Sequence, residues 1–316
     1  MLQSGCGKLL KRGVLNRSKS LFFALVVFSL PGAARSEDYA AKFKQLQEQK
    51  AAGEQVDSLL DEWRAKQPDD PDGWITSANY YFNQSVGPML STKPAEKGDY
   101  RLTDKKTGKA AGSISFRPNV AKTSRDARAI LQEATTKFPD RLDIWCGLAW
   151  MNQEEEDFDN ELATLKKMVA YSREHSTQLK WLKGQPIDQP EDQFVPEKLH
   201  SYATYYGKKE NPEDDKRMLK IAMFSAEQYP NHPYAFNDVA VFYSISKDYA
   251  KTREWLEKAN KVDPKDTLVM RNLGYVCVKL GDNAAARKWY EGVIKAEPNG
   301  ENTAAAKEAL SKLKKK

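Results

Sequence analysis

His175, His200 and His232 are the only imidazoles among 316 residues, and none stands in a spacing that a metal uses. A zinc site on a helix needs two ligands on one face, as in His-x3-His, or a Cys-x2-Cys pair. The three cysteines, Cys6, Cys146 and Cys277, are scattered in the same way. Gly108-Lys109 lacks the preceding glycine and the strand-to-helix setting of a phosphate loop, and there is no Gly-x-Ser-x-Gly elbow. The run Glu154-Glu155-Glu156-Asp157 lacks the alternating ligands and glycine kink that calcium requires, and it reads as a solvated turn between helices. What remains is non-covalent chemistry. Arg271, Asn272 and Lys279 are suited to holding a carboxylate through charge-assisted hydrogen bonds. Trp150 is a candidate anchor, since an exposed indole is costly unless a partner covers it. No metal or cofactor is expected, and nothing in the residues asks for an enzyme.

The elements that carry these residues repeat. Phe236, Val239, Ala240 and Tyr243 recur 34 residues later as Met270, Leu273, Gly274 and Cys277. Thr252, Leu256, Ala259 and Pro264 recur as Ala286, Tyr290, Val293 and Pro298. Residues at i, i+3, i+4 and i+7 share one face of a helix, so each set of four is an apolar helical stripe. Gly281 falls in the turn between the stripes, Ala240 and Gly274 let two helices approach closely, and each proline ends a second helix. Weaker copies lie upstream. Second-helix sets are Val56, Leu60, Trp63, Pro68, then Ala127, Leu131, Ala134, Pro139, then Met218, Ala222, Ser225, Pro230. First-helix sets are Trp74, Ala78, Tyr81 and Trp145, Leu148, Ala149, the latter continuing to Leu165 and Met168.

Tandem copies at a constant period mean a repeat architecture. The spacing at Leu273-Gly274…Ala286…Tyr290…Pro298 resembles the tetratricopeptide repeat. That resemblance implies an all-α fold, a right-handed superhelical solenoid of antiparallel helix pairs, over most of the chain. Six pairs are expected, near 38–68, 71–139, 142–172, 196–230, 233–264 and 267–298, with Glu301–Lys315 as a capping helix. The array divides into degenerate pairs over 37–172 and clearer ones over 196–300, with the cap and a basic tail at 301–316.

In proteins of this family the first helices line a groove that accepts a peptide or helix. Asn237, Val241 and Ser244 read as outward positions there, as do Arg271, Asn272, Tyr275 and Lys279, and Cys146, Trp150 and Gln153. The candidate partner-binding set is therefore Trp150, Asn237, Val241, Arg271, Asn272, Tyr275 and Lys279. Some family members clamp a C-terminal carboxylate with Lys and Asn split over successive repeats; Asn237 and Val241 stand where that set would have Lys and Asn. The partner implied is a protein or peptide.

Two stretches interrupt the repeats. Within 85–121, Tyr100–Thr103 and Ser113–Phe116 read as a β-hairpin closed through 104–109. Such insertions are surface decoration or carry function, and a small-ligand or catalytic site around 85–121 is the alternative reading of the whole protein. Residues 173–195, with Trp181, Pro186 and Pro190, are a linker or insertion, unless Gln178–Lys183 continues a helix. Trp181 would then pack back on the array, and the segment is also a candidate cover for Trp150.

The N-terminal 36 residues hold six cations and no acid, the apolar run Leu21–Leu30, then Pro31-Gly32 and the small-x-small site Ala34-Arg35-Ser36. This is the layout of a cleavable export signal, and the run is about half the roughly 20 residues a spanning helix needs. The expected location is a periplasm or the exterior, with no lasting membrane span. Setting aside those six, 44 of the 50 basic residues remain against 44 acidic ones. Nucleic acid is accordingly not an expected partner, and the terminal lysines read as a solvated helix end.

Overall fold

The computed structural model describes residues 38–91, 95, 99–104, 107–118, 124–209 and 211–313. Residues 1–36, and with them the expected export signal, lie outside these. Thirteen α-helices stand among the described residues, together with a three-stranded sheet and a minimal hairpin. They form two compact units that divide between Ile187 and Asp188.

The first unit holds three helix pairs. These are α1 (Tyr39–Glu48) with α2 (Gly53–Lys66), α3 (Pro71–Ser85) with α4 (Ser124–Lys137), and α5 (Leu142–Glu154) with α6 (Phe158–Glu174). The second unit pairs α7 (Glu191–Gly207) with α8 (Pro212–Gln228), α9 (Pro233–Ile245) with α10 (Tyr249–Val262), and α11 (Thr267–Lys279) with α12 (Asn283–Ala296). It ends on α13 (Glu301–Leu313). The fourth pair starts earlier than the expected 196, and Pro196 lies inside α7. As the sixth residue of α7, Pro196 cannot donate the backbone bond to residue 192, and the helix nonetheless continues to Gly207.

One turn recurs inside the pairs, and it explains where the helices stop and restart. Glu156, Lys247 and Gly281 adopt left-handed φ values of 61°, 62° and 80°. In each case the next amide bonds back five residues: Asp157 to Asn152, Asp248 to Tyr243 and Asp282 to Cys277, all at 2.9 Å. That is the helix-terminating geometry for which glycine is the preferred residue. Each aspartate then caps the following helix, accepting from Asn160, Lys251 and Ala285 backbone N–H groups at 3.3, 3.1 and 2.9 Å. The acidic run at 154–157 is the expected turn between helices, with Glu156 exposed, but not all of it is solvated. The Glu155 side chain is 1% exposed, with its carboxylate 3.1 Å from the Arg128 guanidinium of α4.

The apolar stripes meet between and across pairs. Ala240, Leu256, Ala259, Val269, Leu273 and Val276 form one core, and Cys277, Ala286, Tyr290, Val293 and Ala306 the next. In the first unit Trp74, Ala78, Phe82, Ala127, Leu131, Ala134, Ile144, Leu148 and Met151 pack together. Gly274 shows why a small residue is needed. A Cβ there would lie 2.6 Å from the Tyr290 ring, well inside van der Waals contact. On α13 Thr303 and Ala306 are buried while Lys307 and Lys312 face solvent.

The insertion between α3 and α4 is a sheet of three strands, one more than the hairpin read from the sequence. Strands β1 (Val86–Ser91) and β2 (Tyr100–Thr103) flank β3 (Ala110–Pro118), both antiparallel to it. The turn after β2 closes through Asp104, whose Oδ1 accepts from Thr107 N at 2.7 Å. Val86–Ser91 contains Gly87 and Pro88 and shows no alternation, so only its pairing with β3 makes it a strand.

The stretch after α6 is not a continued helix, correcting that option for 178–183. Lys180–Trp181 (β4) and Gln185–Pro186 (β5) form a two-stranded hairpin around the 3-10 turn Leu182–Gly184. Lys183 and Gly184 both have positive φ, which ends any α-helix. Lys180 N donates to Asp140 O at 2.8 Å, and Leu179 is buried, so this hairpin lies against the turn that opens α5.

Candidate functional site

The first helices of successive pairs lie side by side within each unit, and the candidate residues sit where they meet. In the second unit the face is built from α7, α9, α11 and α13. Asn237 on α9, Arg271 and Asn272 on α11 are 6%, 4% and 3% exposed. Their expected outward placement is thereby corrected. Asn272 Nδ2 donates to Asn237 Oδ1 at 3.1 Å, joining one first helix to the next. Ser244 is also buried. In the first unit Gln153 is buried and donates to Glu161 Oε1 at 2.8 Å. Gln153 meets α6, the second helix of its own pair, whereas Asn237 and Asn272 meet across successive repeats. A helical wheel marks the side turned away from the partner helix within a pair, but that side is partly covered by the neighbouring repeat.

Arg271 is held in a low-dielectric setting. Burial pushes its guanidinium below the ordinary arginine value, and the nearby Glu301, Tyr290 and Asp266 act against that push. Thr267 Oγ1 donates to Glu297 Oε2 at 2.7 Å and accepts from Asn302 Nδ2 at 2.9 Å, so α11 is also tied to the start of α13.

The remaining candidates are open to different degrees. Val241 and Tyr275 are half-buried, and Lys279 is exposed with Nζ 5.3 Å from the centre of the Tyr275 ring. That separation is within cation–π range. Trp150 on α5 is 39% exposed, and its ring centre lies 4.9 Å from that of buried Phe82 on α3. The hairpin after α6 packs at Asp140–Arg141, nine or more residues back along the chain from Trp150. The segment expected to cover the indole thus lies against the opposite end of α5.

Two charged groupings were not read from the sequence. Arg141 grips Asp143 with two bonds, Nε to Oδ1 at 2.9 Å and Nη2 to Oδ2 at 2.8 Å, and its Nη2 lies 3.9 Å from Asp72 on α3. Burial works against the Arg141 charge, and the Asp143 hydrogen bond and carboxylate outweigh it, for a net upward shift. In the second unit His200 on α7 bonds to buried Asp238 on α9. A signal for this second contact was present. Asp238 and Asn272 stand 34 residues apart at one repeat position, polar beside the core residues Val239 and Leu273, and each bonds back to the preceding first helix. Among the described residues there is no group of three or more His, Cys, Asp or Glu able to hold a metal ion. No described helix is long and apolar enough to cross a membrane.

Residues 272–299 match the family model described as tetratricopeptide repeat. Among solved structures, the chain is similar to YrrB, described as a TPR protein with an unusual peptide-binding site, at 11% identity and a TM-score of 0.39. That match covers 79% of this chain and 97% of the other. It is similar to the Sgt2 TPR domain from Aspergillus fumigatus at 24% identity and a TM-score of 0.34, over 38% and 77% of the two chains. The first TPR of Spaghetti (RPAP3), solved bound to an HSP90 peptide, aligns at 20% identity and a TM-score of 0.34, over 38% and 90%. No match was found among curated protein sequences. The residues matched by that model run from within α11 through α12, in a body that is mostly α-helical among the described residues.

Proposed function

We propose that this chain is a tetratricopeptide-repeat protein acting as a non-catalytic scaffold or assembly factor of the cell envelope, binding a peptide or helix of a protein partner along its first helices. The observation that carries the reading is Trp150. It is a large indole on a first helix, open over 39% of its surface and backed by buried Phe82. A rigid aromatic on an apolar base is the usual energetic centre of a protein interface. Tyr275 and Lys279 supply a second such spot in the other unit, one aromatic face beside one exposed cation.

Buried Asn237, Arg271 and Asn272 bear on what kind of partner fits. Their polar groups lie among neighbouring repeats, so the reading places affinity on the aromatic positions and gives the three buried residues a supporting role. Export rests on the basic leader and its apolar run.

The test is a crosslinking pull-down of the full chain from its native envelope fraction, beside Trp150→Ala and Tyr275→Ala. A specific partner lost in either variant, with the thermal transition unchanged, supports the reading. A partner kept by both but lost in Tyr100→Ala moves the site to the inserted sheet, where Tyr100 is 66% exposed. Absence of any partner removes the scaffold reading. N-terminal sequencing of the exported chain is expected to start at Glu37; an intact N-terminus in the cytoplasm overturns the location.

A further inference from the structure

The junction between α7 and α9 contains two histidines with opposite requirements. His200 on α7 places Nδ1 2.9 and 2.8 Å from the two carboxylate oxygens of Asp238, a residue buried on α9. His232 caps the start of α9, is 4% exposed, and has a buried Nδ1 without a hydrogen-bond partner among the described residues. Tyr234 stands between them, its ring centre 5.1 Å from that of His200 and 5.1 Å from that of His232. The other charged groups facing the two rings are Asp192, Glu197 and Lys208 from α7 and its C-cap. Asp266 faces Tyr234 from the start of α11.

The geometry sets the demands. A buried carboxylate is costly unless a cation or several donors answer it, and the His200 imidazolium is the cation in contact with Asp238. A proton on both nitrogens of His232 would instead add a buried charge and a donor with no acceptor at Nδ1. We propose that these two histidines form a pH-sensitive latch between α7 and α9, closed when His200 carries its proton and His232 does not, and loosened on either side of that state.

The titration directions agree with the geometry. Burial works against a charged His200, but the Asp238 carboxylate outweighs it and the ring is held above 6.5. Burial pushes His232 below 6.5. By linkage, the His200 contribution is fully present below 6.5 and is lost as pH rises through its raised folded value. The His232 contribution is fully present above 6.5 and is lost as pH falls through its lowered folded value. Burial raises the Asp238 carboxyl and His200 draws it down, for a net upward shift; its sign is that of His200. The two histidine arms leave a maximum near 6.5. Opening the latch would free the α7–α8 pair from the repeats that follow and shorten the row of first helices.

The experiment is amide hydrogen exchange on the full chain across pH, corrected for intrinsic exchange, with α11 and α12 as the internal reference. Protection of α7 relative to that reference is expected to peak near neutrality. It should fall on both sides of that maximum, towards acid as His232 gains a proton and towards alkali as His200 loses one. His232→Gln should flatten the acid arm and His200→Gln the alkaline arm. A flat profile in the parent chain overturns the proposal, and so do arms that persist in both variants. Should a variant lose its helical circular dichroism, NMR titration of the parent histidines decides instead. His200 titrating above His232 supports the latch, and coincident titrations overturn it.

Discussion

Asn272 on α11 donates its side-chain amide to Asn237 on α9 at 3.1 Å, and both residues are buried. The pair joins consecutive repeats at positions that a single-helix view turns outward. A buried amide left without its partner keeps the whole cost of lost hydration, whereas removing both partners leaves no orphan. Asn272→Leu or Asn237→Leu alone should therefore cost about 1–3 kcal/mol, and the double variant less than the sum. Urea denaturation of the four chains in a double-mutant cycle measures it. Additive losses would mean the two amides do not act together.

Gly274 tests the close approach of α11 and α12. With its Cβ directed into the Tyr290 ring at 2.6 Å, Gly274→Ala should cost about 1–3 kcal/mol by overpacking. This is opposite to the usual gain from placing alanine in a helix interior. Combining it with Tyr290→Leu should recover part of the loss. A Gly274→Ala chain as stable as the parent would show that the helices shift apart at no cost.

The recurring turn offers a stabilising change. Lys247 holds a left-handed φ of 62° where the next repeat has Gly281 at 80°. Relieving the Cβ conflict of a left-handed residue outweighs the added freedom of glycine in the unfolded chain. Lys247→Gly should add about 0.5 kcal/mol, and Gly281→Ala should remove about 1 kcal/mol. Denaturation midpoints read both, and equal midpoints for all three chains would contradict the turn assignment.

Cys277 is fully buried, and burial pushes its thiol above the ordinary value against the opposing charge of Arg253. A raised value keeps the sulfur protonated at neutral pH, so it lacks the thiolate that alkylating reagents attack. Peptide mapping after alkylation of the native chain should find half-buried Cys146 modified first, and Cys277 only in denaturant. Equal rates would mean that the α11–α12 core opens readily.

Much of the helical body was legible because its signal is local. The stripes Phe236–Tyr243 and Met270–Cys277 carry the 3.6-residue period, and Gly274 marks a close approach at the place the spacing suggests. The aspartates at 157, 248 and 282 cap the second helices through bonds only three residues long. The candidate face was legible only in part. Trp150 was identified as an indole needing cover, but Phe82, which backs it, lies on another first helix. The pairing of Val86–Ser91 with β3 was likewise invisible, since a strand of Gly, Pro and Met shows no alternation of its own.

The repeat, the paired helices and the small residue between α11 and α12 are carried by the order of the residues, because each follows from contacts within one or two turns of helix. The burial of Asn237, Arg271 and Asn272, the contact of His200 with Asp238, and the return of the stretch after α6 to Asp140 depend on how the helices pack. The physical reason is range. The bonds at the repeat junctions join residues 35 and 38 positions apart, and whether they form depends on how one helix is rotated against the next. Helical periodicity says which side of a helix is apolar; it does not say which neighbour covers the other side.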